Sequence, residues 1–256
     1  MSIYVCVKHV PDTAAVITLE GRTAYAEANI KFIVNPFDEF AIEEALQWGE
    51  KNGEEVVAVT VGKKDATSTL QNALALGAAR GIHIVTDKQF VSTADTAKAL
   101  AAGIQADGAP SVVFTGKQSV DTEGMQLPYF LAHALGLPVV NEVTELALEG
   151  GKVLATREVG SGAREVFSLP CPCVIGATKG LNTPRYPKLP DIMKAKKKPV
   201  HTVPLETLVS GESPAPALES LTLAAERAGG GAVILSGTVE EQVAELRRII
   251  KEKARV

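Results

Sequence analysis

The chain has 256 residues, 46% hydrophobic and 22% charged, which is enough apolar material to bury a substantial core. Its net charge of -4 provides no broad basic field for a phosphate backbone and excludes nucleic acid as the principal partner. Three cysteines, Cys6, Cys171 and Cys173, are too few for a disulfide framework or a four-ligand zinc site; all three are expected to be buried strand residues in a reducing compartment.

The amino terminus runs directly into a strand pattern, and no apolar run approaches the ~20 residues of a spanning helix, so a soluble, unprocessed chain is expected. Runs rich in β-branched residues, 3–7, 56–61, 82–85 and 111–114, alternate with helical patterns. That alternation predicts a Rossmann-like α/β fold, a mostly parallel sheet flanked by helices. The first helix should open at Asn35, with Pro36 at its first position and Asp38 and Glu39 in its first turn. Phe37, Ala41, Ile42, Ala45, Leu46 and Trp48 would form its apolar face. Leu70, Ala73, Leu74 and Leu76 predict a second helix stopped by Gly77.

Between residues 139 and 174 the helical period lapses, and the Glu-Gly-Gly-Lys turn at 149–152 predicts an antiparallel extension of the sheet. Beyond Lys198 the composition changes, with Pro199, Pro204, Pro214, Pro216 and the glycines 229–231. The expected organisation is an α/β core over 1–198 and a C-terminal arm over 199–256. The arm should end in a short strand at 232–235 and a helix with Val239, Val243, Leu246 and Ile250 on one face, to be covered by a partner subunit.

The sequence has no GxSxG, HExxH or GxxxxGK[ST] pattern, which shifts weight from catalysis to binding or electron transfer. Three segments are candidate nucleotide contacts, because ligands of open parallel sheets sit beyond the carboxyl ends of strands. They are the turn at 7–12, the helix start at 35–38, and 116–127, GKQSVDTEGMQL, which leads into a helix carrying Tyr129, Leu131, Ala132 and Leu135. A helix amino terminus offers free N–H groups to a phosphate, and Gly116 and Gly124 would permit close approach. Alternatively, these glycines only make turns.

The segment 181–198, LNTPRYPKLPDIMKAKKK, is stiffened by Pro184, Pro187 and Pro190. Leu189, Ile192 and Met193 are apolar residues in exposed-looking sequence, ringed by Lys188, Lys194, Lys196, Lys197 and Lys198. Two readings stay open: a basic turn with a hydrophobic peg tucked into the core, or a tip that docks in an acidic-rimmed pocket.

The string RYPKLPDIMKAKKK, with VKHV, VNPFDEFAIEEAL, ALALGAARGIHI and GKQSVD, resembles electron transfer flavoprotein beta subunits over most of residues 1–200. The resemblance implies a heterodimer whose alpha subunit holds most of an FAD, while this chain carries AMP as a structural ligand and is not itself an enzyme. It also implies electrons accepted from dehydrogenases, such as acyl-CoA dehydrogenases, and passed to a membrane quinone oxidoreductase. The implied location is the cytoplasm of a bacterium or the mitochondrial matrix of a eukaryote.

Carried over by position, the implied cofactor contacts are Cys6, Asn35, Pro36, Phe37, Asp38, Val61, Gly116, Lys117, Gln118, Ser119, Val120, Asp121, Thr122, Glu123, Gly124, Met125, Gln126 and Leu127. Phe37 would lie near the flavin's dimethylbenzene edge, and Glu158 would pair with an alpha-subunit arginine. Leu189 matches the anchor of the docking segment, flanked by Pro190, Ile192, Met193, Lys194 and Lys197. Two departures matter: Thr13 stands where some relatives carry Tyr, and TEGMQL at 122–127 replaces an Asn-Gln-Thr pattern, leaving Gln126 as the clearest side-chain match. The electron-bifurcating branch, with a second FAD and NADH as donor, resembles NPDDKGGLE and DGDTAQ. This chain reads NPFDEFAIE and VDTEGMQ, which favours the AMP-binding form. A rival of another class is a free-standing adenine-nucleotide-binding or ATP-using protein, with Asp121 and Glu123 as metal carboxylates.

Overall fold

The computed structural model describes residues 1–209, 218–224 and 232–254. The chain divides into two units, Met1–Leu221 and Thr222–Val256. In the first unit the elements follow in order β1 (Ser2–Cys6), β2 (His9–Pro11), β3 (Leu19–Glu20), β4 (Ala24–Tyr25), β5 (Phe32–Val34), α1 (Pro36–Asn52), β6 (Glu55–Gly62) and α2 (Thr67–Leu76). They continue as β7 (Arg80–Val85), α3 (Thr93–Asp107), β8 (Pro110–Gly116), α4 (Leu127–Leu135), β9 (Val139–Glu149), β10 (Lys152–Glu158) and β11 (Arg164–Pro170). The last are β12 (Val174–Ala177), α5 (Leu189–Ala195), β13 (Val200–Pro204) and α6 (Leu205–Leu208). The second unit contains α7 (Val239–Ala254).

Nine strands make one sheet in the order β11-β10-β9-β12-β8-β1-β6-β7-β13. All its pairings are parallel except β9–β10 and β10–β11, the expected antiparallel extension. The turn between β9 and β10 has Gly150 at φ 56° and Gly151 at φ 76°, a conformation that calls for residues without a Cβ. Two small antiparallel sheets, β2–β5 and β3–β4, stand apart from the main one.

Alternation along the buried strands sends side chains into two cores. Ile3 and Val5 pack with Ala41, Ile42 and Ala45 of α1 and with Leu70 and Leu74 of α2 on one face. Tyr4 and Cys6 pack with Leu100 and Ile104 of α3 and Leu131 of α4 on the other. Each fully buried aliphatic side chain contributes about 1.5–3 kcal/mol, so both helical layers are held chiefly by this burial.

The structure moves some boundaries. Residues 200–204 pair in parallel with β7 and Leu205 is buried, so the core runs past the expected limit at 198. Pro199 and Pro204 suggested an arm, but they lie just before and at the last position of an edge strand, where a missing N–H is tolerated. Residues 232–235 form no strand, and Val233 and Ile234 are exposed, so this apolar run lacks the burial that stabilises a strand. Pro214, Pro216 and the glycines 229–231 lie outside the described residues. Cys6 is a buried strand residue as expected; Cys171 and Cys173 both lie between β11 and β12 rather than on a strand, Cys171 exposed in the turn and Cys173 buried just ahead of β12. Among the described residues no helix is long and apolar enough to cross a membrane.

Candidate functional site

The turns that follow β1, β6 and β8 meet at one cavity of about 750 Å³, a volume suited to a nucleotide-sized ligand. All three segments singled out from sequence contribute to its lining. Val7, Lys8 and His9 come from the first, Asn35 and Asp38 from the second, and Gly116, Gln118, Ser119, Asp121, Thr122, Gly124, Met125, Gln126 and Leu127 from the third, with Cys6 and Val61 at strand ends.

Asp38 joins these segments. Its buried carboxylate accepts from the Lys8 amide at 2.7 Å, the Asn35 side chain at 2.9 Å and the Gly116 amide at 3.1 Å. Burial pushes its pKa up to about 7, against the lowering effect of those three donors. Asn35 is a staple more than a helix cap: it makes no side-chain cap bond to α1. Its Nδ2 also donates to the Gln118 carbonyl at 2.9 Å, and its Oδ1 accepts from the Val120 amide at 3.1 Å. Gly116 is required by packing, because a Cβ there would collide with the Asp38 carboxylate and the Phe37 backbone. Gly124, by contrast, faces open space.

The segment leading into α4 carries the feature best suited to an anion. The backbone N–H groups of Gly124, Met125, Gln126 and Leu127 donate to no acceptor among the described residues, and all four residues line the cavity. They gather at a helix amino terminus whose N-cap, Gln126, makes no side-chain cap bond, so free donors and dipole coincide. Two of the three lysines lining the cavity are matched in pairs. Lys8 Nζ reaches Asp121 at 2.7 Å and Ser119 at 3.2 Å, and Lys63 reaches Glu27 at 2.9 Å. Burial pushes the Cys6 thiol well above its usual range, leaving it a protonated wall residue.

Not every expected contact faces the cavity: Pro36, Phe37, Lys117, Val120 and Glu123 do not line it. Lys117 instead lies 5.2 Å above the Phe37 ring and 3.2 Å from Glu142. Sequence reasoning missed another wall, which includes Tyr25, Glu27, Lys63, Gln89 and Phe90. Tyr25 ends β4 and the others lie in the loops after β4, β6 and β7, and no spacing in the chain announces that they converge.

The basic segment is pinned at one end and free at the other. Arg185 pairs with Glu43 at 2.8 Å and Glu50 at 2.6 Å, both on α1, and Asn182 donates to the Phe40 carbonyl and to Glu44. Ala195 is buried against the core, while Leu189 is 74% exposed, with Ile192 and Met193 also exposed. The inward peg is therefore Ala195, and the apolar tip points outward. Tyr186, which the sequence reading passed over, is 92% exposed beside it. Lys198 leaves the basic ring: its Nζ donates to the Leu74 and Ala78 carbonyls at the end of α2. Glu158 is exposed at the end of β10 and lies 3.5 Å from Arg164 across the ladder.

An electron transfer flavoprotein domain matches residues 22–208. The chain is 40% identical to the electron transfer flavoprotein subunit beta of Syntrophomonas wolfei over 204 residues, 79% of each chain. It is 32% identical to that of Bacillus subtilis over the full length of both. The chain belongs to the electron transfer flavoprotein family, as a beta subunit. It is also 31% identical, over 99% of each chain, to the caffeyl-CoA reductase-Etf complex subunit CarD of Acetobacterium woodii.

Beta subunits of this family are parts of electron carriers rather than enzymes, and the name implies an alpha-subunit partner and a flavin in the assembly. The family match displaces the free-standing ATP-using reading, and Asp121, one of its two expected carboxylates, is engaged by Lys8.

Proposed function

We propose that this beta subunit holds one AMP in the cavity beside α4 and presents Leu189 to electron-donating dehydrogenases, within a heterodimer whose alpha subunit holds most of an FAD. The carrying observation is the run of four free amides at 124–127 beside the stapled Asn35–Asp38 turn. Those amides suit a single phosphate, and Val61, Leu100 and Leu127 supply apolar surface for a base. Of the lysines lining the cavity, Lys8 and Lys63 are matched by Asp121 and Glu27, and Lys88 remains as the cation for a phosphate.

Electrons would come from dehydrogenases of the acyl-CoA class and leave towards a membrane quinone oxidoreductase. The flavin of the assembly supplies the redox chemistry, and this chain supplies binding and orientation. Leu189, Tyr186 and Met193 form an exposed apolar tip with Lys188, Lys194, Lys196 and Lys197 exposed around it, the arrangement expected of an anchor with steering charges. A brief, reversible encounter follows from so small an anchor. Glu158, 3.5 Å from Arg164, would exchange it for an alpha-subunit arginine, and the C-terminal arm, whose α7 exposes Val239, Val243, Leu246 and Ile250, would pack on the alpha subunit.

A second reading, the bifurcating form with a second FAD and NADH as donor, draws on the full-length similarity to CarD and on the generous cavity volume. Mass spectrometry of the nucleotides released from the co-expressed complex separates the two. One FAD with one AMP supports the first, and two FAD overturn it.

A further inference from the structure

Resting on the nucleotide reading of the cavity, we infer that residues 12–31 are a strap closing the ligand inside, and that Gln89 is the positioning residue that holds the strap shut. The segment leaves β2 and returns at β5, and these strands pair with each other. Its base is further closed by the Asp12 amide donating to the Lys31 carbonyl at 2.8 Å. A loop whose ends meet in this way can swing as a body about its base. Within it, β3 and β4 form a short hairpin with no place in the main sheet.

The far side of this loop is tied twice: the Leu221 amide donates to the Arg22 carbonyl at 2.7 Å, and a small polar group holds it at the cavity wall. Gln89 acts on Tyr25 as a neighbouring strand would: its Oε1 accepts from the Tyr25 amide at 3.2 Å and its Nε2 donates to the Tyr25 carbonyl at 2.9 Å. The same Nε2 reaches Glu27 at 2.6 Å. Glu27 in turn accepts from Lys63, and Phe90 meets the Tyr25 ring edge-on at 5.9 Å. Tyr25, Glu27, Lys63, Gln89 and Phe90 all line the cavity. Of these, only Tyr25 and Glu27 belong to the strap, so opening it breaks this group and exposes that wall of the cavity. The strap has little apolar burial of its own: no residue from 12 to 31 is fully buried. Regions so tied are the ones that open locally.

The test measures bound AMP remaining on the purified two-subunit complex after timed gel filtration. Gln89→Ala removes the bonds to Tyr25 and Glu27 together and is expected to release AMP roughly tenfold faster or more. Tryptic cleavage after Arg22 and Lys31, both exposed on the strap, should accelerate in parallel and slow again when AMP is added. Glu27→Gln, which keeps an oxygen for Gln89 but loses the Lys63 ion pair, should fall between the two and serves if Gln89→Ala does not fold. Release at the wild-type rate in a folded variant overturns the strap alone. A wild-type complex that yields no AMP overturns the nucleotide reading along with it.

Discussion

The Gly116 amide donates to the Asp38 carboxylate at 3.1 Å, and that carboxylate occupies the space a side chain at 116 would need. The two residues fix α1 against the end of β8, and with it the start of the 116–127 segment. Gly116→Ala is therefore expected to destabilise the protein by about 2–3 kcal/mol through overpacking at a rigid backbone contact. Thermal unfolding measures the loss. An unchanged melting temperature would show that the α1–β8 contact is looser than the structure has it.

Asp38 also predicts a pH dependence. Its pKa is raised from 3.8 to about 7, with burial the largest cause, so between these values the folded chain binds a proton that the unfolded chain has released. The contribution of this group to stability then falls as pH rises from about 4 to about 7, by up to about 1.4 kcal/mol per pH unit, and is level above. Asp38→Asn should flatten that part of the stability–pH profile. It should also destabilise at pH 8, where the wild-type carboxylate is ionised and accepts from all three donors, because the new amide sets donor against donor at Lys8 or Gly116 and costs about 1–3 kcal/mol. Urea titrations of both proteins across pH 4–8 read the two effects separately.

Much of this site could be read from the chain because its determinants are local. Pro36 and the acidic first turn mark the start of α1, and GKQSVD follows directly on an apolar run, so strand ends and helix starts were visible from one window each. The pairing of Asn35 with Val120 was not visible, since a helix-capping residue and a long-range staple look alike in sequence. Nor was the wall made by Glu27, Lys63 and Gln89, where three loops meet through side-chain bonds spanning 36 and 62 residues. The edge strand at 200–204 was hidden for another reason: its prolines have the same composition in an arm and at the end of a strand.

The exposed tip gives a prediction about electron transfer. Leu189→Ala removes a side chain that is 74% exposed, so stability should change by no more than about 0.5 kcal/mol. The rate of electron transfer from the cognate dehydrogenase should nevertheless drop, with bound flavin and AMP unchanged. Tyr186→Ala should act in the same direction, because exposed tyrosines beside an apolar anchor are common carriers of binding energy. Wild-type rates in both variants would remove this surface from the docking proposal.

Lys197 and Lys198 are neighbours in sequence but do different work, and their alanine variants should separate cleanly. Lys198 donates to two carbonyls at the end of α2, at 2.8 and 2.7 Å, where a cation also meets the negative end of the helix dipole. Lys198→Ala should cost about 1–2 kcal/mol of stability, with dehydrogenase encounter at low salt little changed in the folded protein. Lys197 is exposed, so Lys197→Ala should leave unfolding where it was. It should slow association with the dehydrogenase and weaken its dependence on ionic strength, as removal of a rim charge does. Stopped-flow rates at several salt concentrations, set beside melting temperatures, test the pair together. Equal effects of the two variants on either readout would mean that the basic segment acts as one undivided patch.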